Sequence, residues 1–583
     1  MEAHADGQER RAWAYVALGL WVLLLETWFR GPFLGRVAGG RGAAALGVGV
    51  AAAVALQLRA SRGRRPGVDR RLAVVVLAAL AAATLVRLPA LAAPAGLISS
   101  DSAVAGFIAQ ELRAGELPAP IYAPGFPYEG TLKPHLTALL GLAVPAAGTP
   151  VLYAVASHLF YLLWCAAAVV LAYRAAGVPA AAAAGSFMAV SPRFLTAFSL
   201  NNVGQYPEVN ALGALALLLL TRQRDLLLAG FVLGLAIWQQ LLAVYFVAAA
   251  ALAALLTPAL RRPASLAAGV LGFAAGSYPM WVWNATHGWA TFDFFRRGGK
   301  NPGDRLAGLP DRLEAVATVS FPKMFGLTDL GLGGPTALLA GLVLPALVLA
   351  AAWTRRRDLR ERRGRSPVFL ALVLAAVVLG IFSVSKFSHR GAQRPRYLLP
   401  LYTSIAVAGG AALADLVRRS RLAALSIGAA VVAVNAAGLV PGLRARAAAD
   451  ARDRAFVQGL AERGVRTGYS GFWVAAKYTF LAEGRFVLSG ELGPDVSWVH
   501  VRHSRDVREA GPDAYVLWRD DLADALEARL GALGCRFERT EVAGHWLFHS
   551  LSKRVTLEDV SGYDTELEPH GASETPASDG SAE

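Results

Sequence analysis

Cysteine is nearly absent, with only Cys165 and Cys535 among 583 residues. One lies inside an apolar run and the other in a distant polar region, which leaves no basis for a disulfide framework or for thiol redox chemistry. Charge is also scarce, at 17% of residues against 55% hydrophobic ones. That balance departs from soluble proteins towards chains that use lipid as solvent. No repeat of fixed period runs through the sequence, and no small-residue cleavage site follows the first apolar run, 12–28, which therefore reads as a retained anchor. The net charge of +15 comes largely from Arg clusters between apolar runs, which is how membrane topology is written, so nucleic acid is not expected as a partner.

What the sequence does contain is a succession of apolar runs between residues 12 and 441, read as about 13 membrane spans at roughly 20 residues each. The expected fold class is mainly α: a polytopic membrane domain over 1–442, with amphipathic helices in the first large outer loop, 97–148. A small α/β domain is expected over 443–554, because "DAYVLW", "ALEARLGALGCRF" and "GHWLFHSL" read as strand, helix and strand. An acidic tail, 555–583, is rich in Ser, Pro and Gly and reads as disordered. Placing "RASRGRRPGVDRR", "TRRRDLRERRGRSP" and the smaller basic connectors on the cytoplasmic side satisfies the positive-inside bias. The amino terminus is then cytoplasmic, and the α/β domain lies outside a plasma (inner) membrane.

The outer loop "LISSDSAVAGFIAQELRAGELPAPIYAPGFPYEGTLKPH" gathers polar chemistry in a greasy chain. Val104, Phe107, Ile108 and Leu112 recur at helical spacing, so the first part is an amphipathic helix with Asp101 in its first turn. Asp101 could cap that helix. It could also serve as a base at the membrane surface, reaching a lipid-borne donor and a water-borne acceptor together. Tyr128, Glu129, Lys133 and His135 follow in a Pro/Gly-punctuated turn that fixes the course of the backbone. The apolar stretch 136–148 is too short to span and reads as an interfacial helix.

A second outer loop, "SKFSHRGAQRPRYLLP", carries Lys386, His389, Arg390, Arg394 and Arg396 on the side where short loops are poor in cations. An anion is expected there, either a bound phosphate or anionic lipid headgroups. Tyr206 and Glu208 in "NNVGQYPEV", and Asn284 and His287 in "GSYPMWVWNATHG", place further polar groups at span ends. His287 has no second metal ligand at a recognisable spacing, and "NAT" is a weak glycosylation pattern at a membrane boundary.

The order of these parts, a span, "SDSA", an amphipathic helix, "YEGTLKPHL", an interfacial helix and many spans, resembles the GT-C-fold glycosyltransferases that use polyprenyl-phosphate sugars. Within that fold it is similar to protein O-mannosyltransferases and the lipid A aminoarabinose transferase. "RPRYLLPLY" and, in the outer domain, "GYSGFWVAAKYTFLAEGRFV" look like motifs of bacterial members. The resemblance implies that Asp101 is the acidic residue of the first outer loop, that Lys133 lies near the lipid phosphate, and that Arg396 and Tyr397 begin a late span beside it. Two departures are visible: Ser102 stands where many relatives have a second acid, and a hairpin over 12–58 precedes the usual first span.

These readings converge on transfer of a sugar from a polyprenyl-phosphate carrier to an extracytoplasmic glycan, lipid or protein hydroxyl. Asp101 is the expected catalytic base in a single inverting displacement. A phosphate leaves as a stable anion, so cations can replace the acid of a glycosidase. Tyr128, Glu129, Lys133, His135, Tyr206, Glu208, Asn284, His389, Arg390, Arg394, Arg396 and Tyr397 are the expected substrate-binding set. No cofactor is required, although Asp101 and Glu129 could together hold Mg or Mn. The rival readings are a transporter or flippase for a lipid-linked glycan and a non-catalytic envelope scaffold. A transporter is expected to show related halves and midplane charges, which this sequence lacks.

Overall fold

The computed structural model describes residues 16–26, 28–29, 69–116, 118–200, 204–222, 226–258, 260–297, 308–331, 334–361, 366–388, 394–493 and 500–561. The expected span at 43–58 and the acidic tail from 562 onward lie outside the described residues.

The membrane portion is helical. Its elements used below are α1 (Val16–Glu26), α2 (Arg70–Leu91), α3 (Ser100–Arg113), α4 (Leu132–Ala143), α5 (Thr149–Ala189), α6 (Tyr206–Leu220) and α7 (Leu226–Gln239). They continue as α8 (Pro263–Gly276), α9 (Tyr278–Thr286), α10 (Ala290–Arg297), α11 (Pro395–Arg419) and α12 (Arg421–Glu462). Among the described residues, four of these, α2, α5, α11 and α12, are long and apolar enough to cross a membrane. The 13-span count is therefore not reproduced. Several of the expected spans form helices of only 10–17 residues, and the span expected over 151–173 and most of that over 178–198 lie in one helix, α5. Gln240 is extended (φ −168°, ψ 141°), ends α7 and accepts a hydrogen bond from the Leu242 amide, 2.6 Å away. In α5, Ala176 and Gly177 are non-helical, and Gly177 takes φ 76°, so the runs 151–173 and 178–198 meet at a sharp break.

Two devices hold the helices together. The α7 and α8 backbones touch through glycines: a Cβ on Gly230 would lie 2.0 Å from the Gly269 carbonyl, and one on Gly272 would lie 2.0 Å from that of Leu227. Such approach is how helices associate in lipid, where apolar side chains gain little by leaving the solvent. In α2, Arg87 is fully buried. Its guanidinium donates to Ser199 Oγ at 2.7 Å, Ser191 Oγ at 2.8 Å and the carbonyls of Ala83 and Ala189, and it lies over the Tyr161 ring. Four hydrogen bonds and the ring contact thus engage the guanidinium without a carboxylate.

Beyond the spans, α12 runs on into a five-stranded sheet. Its strands are β1 (Thr467–Ser470), β2 (Val487–Ser489), β3 (Ala514–Leu517), β4 (Glu538–Val542) and β5 (His545–His549), in the order β2-β1-β3-β5-β4. β1 pairs in parallel with β2 and β3, while β5 runs antiparallel to both β3 and β4. The crossover after β1 is α13 (Phe472–Ala482), and the strand–helix–strand reading corresponds to β3, the helix Asp520–Ala532 and β5. The C-terminal domain has one core of its own, including Tyr469, Leu517, Leu526 and Phe548, and shares a second with the loop helix. Val104, Phe107 and Ile108 of α3 are buried in one cluster with Phe456, Val474, Phe480 and Leu488.

Candidate active site

The loop helix α3 is fixed at both ends. Ser99, not Asp101, is its N-cap: the Ser102 amide donates to Ser99 Oγ at 3.2 Å and the Ser99 amide to Ser102 Oγ at 2.7 Å, a reciprocal capping box. Ser102, standing where a second acid is common in the resembling proteins, therefore has a structural use. Asp101 is released from capping, and its carboxylate makes no hydrogen bond to any described residue. Ser100 donates to the Trp473 carbonyl at the start of α13, while Phe107 meets Phe480 edge-on at 5.8 Å. Gly106 permits that contact, since a Cβ there would fall 2.5 Å from the Phe480 ring.

The turn that carries Tyr128 and Glu129 closes on itself and on α7. Tyr122 and Gly130 form an antiparallel bridge, and the Ala123 amide donates to the Glu129 carbonyl at 2.9 Å. Gly130 N donates to the Gln239 carbonyl at 2.9 Å, and Leu132 N to Gln239 Oε1 at 3.1 Å. The Trp238 indole donates to the Ile121 carbonyl at 3.2 Å. Gly130 sits so close to Gln239 and Trp238 that a Cβ would lie 2.6 Å and 2.7 Å from their atoms. Gln239 and Trp238 were not among the expected site residues. Their signal was the polar "WQQ" inside an apolar run.

Arg396 lies in the tight turn Pro395–Leu398 that opens α11, its guanidinium 5.7 Å from the Tyr397 ring. The turn brings its charge within electrostatic reach of Asp101, Glu129, Tyr128 and Tyr206. Burial raises the Asp101 carboxyl above the ordinary carboxylate range, and the Arg396 charge opposes the rise. Glu129, 7% exposed, is pushed up to about 8, by burial first and then by the Asp101 charge, against the pull of Lys133 and Arg396. Near neutral pH Glu129 therefore holds a proton, and both carboxyls feel the Arg396 charge. Burial likewise raises the Tyr128 hydroxyl.

Lys133 and Glu208 form an ion pair at 3.1 Å, with both side chains wholly inaccessible. The ammonium also lies 5.0 Å from the Tyr153 ring. Gln205, buried and at φ 53°, ends the turn before α6 with its amide facing the Tyr153 hydroxyl. This cluster lies behind Glu129, which feels the charges of both Lys133 and Glu208.

The other expected residues distribute as follows. Tyr206 is buried against Phe198, their ring centroids 5.4 Å apart. Asn284 uses its amide on Thr291, donating to Oγ1 at 3.0 Å and accepting from the backbone amide at 3.1 Å. Thr291 in turn donates to the Pro127 carbonyl at 2.5 Å, so Asn284 reaches the site turn through it. His135 bonds the Thr131 carbonyl through Nδ1 at 2.6 Å and accepts from the Trp28 indole on Nε2 at 2.8 Å. That fixes its tautomer and ties the segment after α1 to the site. Arg394 is exposed beside the turn; His389 and Arg390 lie outside the described residues. Among the described residues no three His, Cys, Asp or Glu side chains converge to hold a metal ion.

No protein family and no curated protein matches the sequence. Solved structures do. The chain is similar to ArnT from Cupriavidus metallidurans in the apo state, at 15% identity and a TM-score of 0.53, covering 78% of this chain and 93% of that one. Against the same protein bound to undecaprenyl phosphate the TM-score is 0.55 at 15% identity, covering 82% and 98%. The oligosaccharyltransferase AglB from Archaeoglobus fulgidus, in complex with an inhibitory peptide and a dolichol-phosphate, aligns at 12% identity with a TM-score of 0.42, covering 84% and 75%. The ArnT likeness shows that the chain has the GT-C fold its loop motifs resemble.

Proposed function

We propose that the protein is a membrane glycosyltransferase that moves a sugar from a polyprenyl-phosphate carrier to a hydroxyl on the extracytoplasmic side. The observation that carries this reading is that the charge of Arg396, at the start of α11, acts on the buried Asp101 carboxyl at the start of α3, on the fold of a protein solved with undecaprenyl phosphate. Asp101 takes the proton of the acceptor hydroxyl as its oxygen attacks the anomeric carbon. The bond from that carbon to the phosphate oxygen breaks, and the electron pair leaves on the prenyl phosphate. Arg396 stabilises the charge that gathers there, a planar fork suited to phosphate oxygens. Displacement in one step inverts the anomeric centre.

Glu129, protonated near neutral pH, can donate a hydrogen bond to the sugar or the leaving group. Lys133 is engaged by Glu208, and its charge acts on the site through Glu129. The acceptor, whether glycan, lipid or protein, approaches from the side of the C-terminal domain, whose α13 packs on α3.

The decisive experiment is transfer from a radiolabelled polyprenyl-phosphate sugar in proteoliposomes. Asp101→Asn should lower turnover about a hundredfold or more, the usual worth of a positioned base, while leaving the melting temperature in place. Turnover at the wild-type level would remove the base assignment.

A further inference from the structure

The short helix α10 and the end of α9 expose more aromatic surface than any neighbouring segment needs for its own packing. Trp281, Trp289, Phe292 and Phe294 are 37%, 51%, 43% and 47% exposed. They divide into two groups. Trp281 stacks on Phe292 (6.2 Å, 20°), and Trp289 closes the group at 6.5 Å from Trp281 and 5.9 Å from Phe292. Trp289 takes φ 62°, a left-handed conformation that costs a bulky residue energy, so its outward position is imposed by the surroundings. Phe294, two residues beyond Phe292 and so on another side of the helix, meets the Tyr128 ring at 4.9 Å. The α10 helix is also bonded to the site turn, through the Thr291 hydroxyl on the Pro127 carbonyl and the Asn284 amide on Thr291.

Tryptophans exposed at the end of an apolar helix settle at the membrane–water boundary. The Trp281–Trp289–Phe292 group therefore faces phospholipid. Phe294 does something different, because its partner Tyr128 precedes Glu129 and lies within the fields of Asp101 and Arg396. A lipid phosphate held at Arg396 must send its hydrocarbon chain away from the charged groups towards the bilayer. The half-buried Tyr128, adjacent to Glu129, and the exposed Phe294 form an aromatic contact that leads from those groups to the protein surface.

We propose that the Tyr128–Phe294 pair is where the isoprenoid chain of the donor leaves the charged site. In this arrangement α10 is a lip anchored in phospholipid on one side and lying against the donor chain on the other. This rests on the reading of Asp101, Glu129 and Arg396 as the donor site. Thr291 ties the lip to the site turn, so the pair and the charged groups keep their spacing.

Two measurements on the full-length protein in phospholipid vesicles test this without requiring turnover. With p-benzoylphenylalanine placed at position 294, irradiation should attach undecaprenyl phosphate, and geranyl phosphate at excess should compete poorly. The same probe at position 292 should attach phospholipid regardless of added prenyl phosphate. Phospholipid captured equally at both positions would overturn the proposal. In the second measurement Phe294→Ala should weaken binding of undecaprenyl phosphate about tenfold, consistent with losing part of one buried aromatic contact, and leave geranyl phosphate unchanged. Equal weakening of both would mean that Phe294 supports the headgroup rather than the chain. Should Asp101→Asn retain transfer, the catalytic reading falls while these binding results stand, so the two failures can be told apart.

Discussion

At the scale of single residues, the site is governed by what burial does to charge. Glu129 is raised from 4.5 to about 8, so the folded protein holds a proton there that the unfolded chain releases. A carboxyl raised on folding contributes stability that is complete below its unfolded value and is lost as pH climbs through the folded one. Glu129→Gln should therefore flatten the fall in melting temperature between about pH 4.5 and pH 8; an unchanged slope would show that Glu129 ionises freely. The Lys133–Glu208 pair follows the complementary rule. Removing one partner of a buried ion pair costs about 3–5 kcal/mol, because the other charge is left without compensation. Lys133→Met should melt well below the wild type, and adding Glu208→Leu should recover most of the loss. A double variant no more stable than the single would mean that the two charges do not depend on each other.

At the scale of elements, the loop between α2 and α4 shows what sequence can and cannot convey. Charged residues in an otherwise apolar chain are conspicuous, so Asp101, Glu129 and Arg396 were legible as a set. The helical spacing of Val104, Phe107, Ile108 and Leu112 located α3 but left its partner unspecified. That partner is Phe480 of the C-terminal domain, some 370 residues away, and no local pattern carries such a contact. The capping role of Ser99 was obscured for a related reason: three serines and an aspartate in a row all suit a helix start, and only geometry selects among them. The breaks at Gly177 and Gln240 fall where the apolar runs were divided, because a polar or glycine-containing gap in such a run is visible in sequence. Gly106→Ala is the sharpest probe of the α3 contact. Its new methyl would press on the Phe480 ring, lowering both melting temperature and transfer, and Phe480→Leu in the same chain should restore them. Full activity in the single variant would show that α3 need not seat against the domain.

At the scale of the whole molecule, the expected topology assigns the end of α3 and the basic connector after residue 354 to opposite faces of the membrane. Both native cysteines are buried, which leaves a quiet background for labelling. Ala114→Cys and Glu361→Cys, both at exposed positions, should react with an impermeant maleimide from opposite sides of oriented vesicles; reaction from one side only would break the topology. The 42-residue helix α12 adds a geometric consequence. Asp450 accepts a hydrogen bond from the Ala95 amide just ahead of α3, and it stands about 44 Å along α12 from Arg421 at ~1.5 Å per residue. With roughly 30 Å of that length crossing hydrocarbon, the helix acts as a measuring rod. If the protein is the transferase proposed above, that length sets the working height of the chemistry, and a thicker bilayer would submerge the bench on which the acceptor is presented.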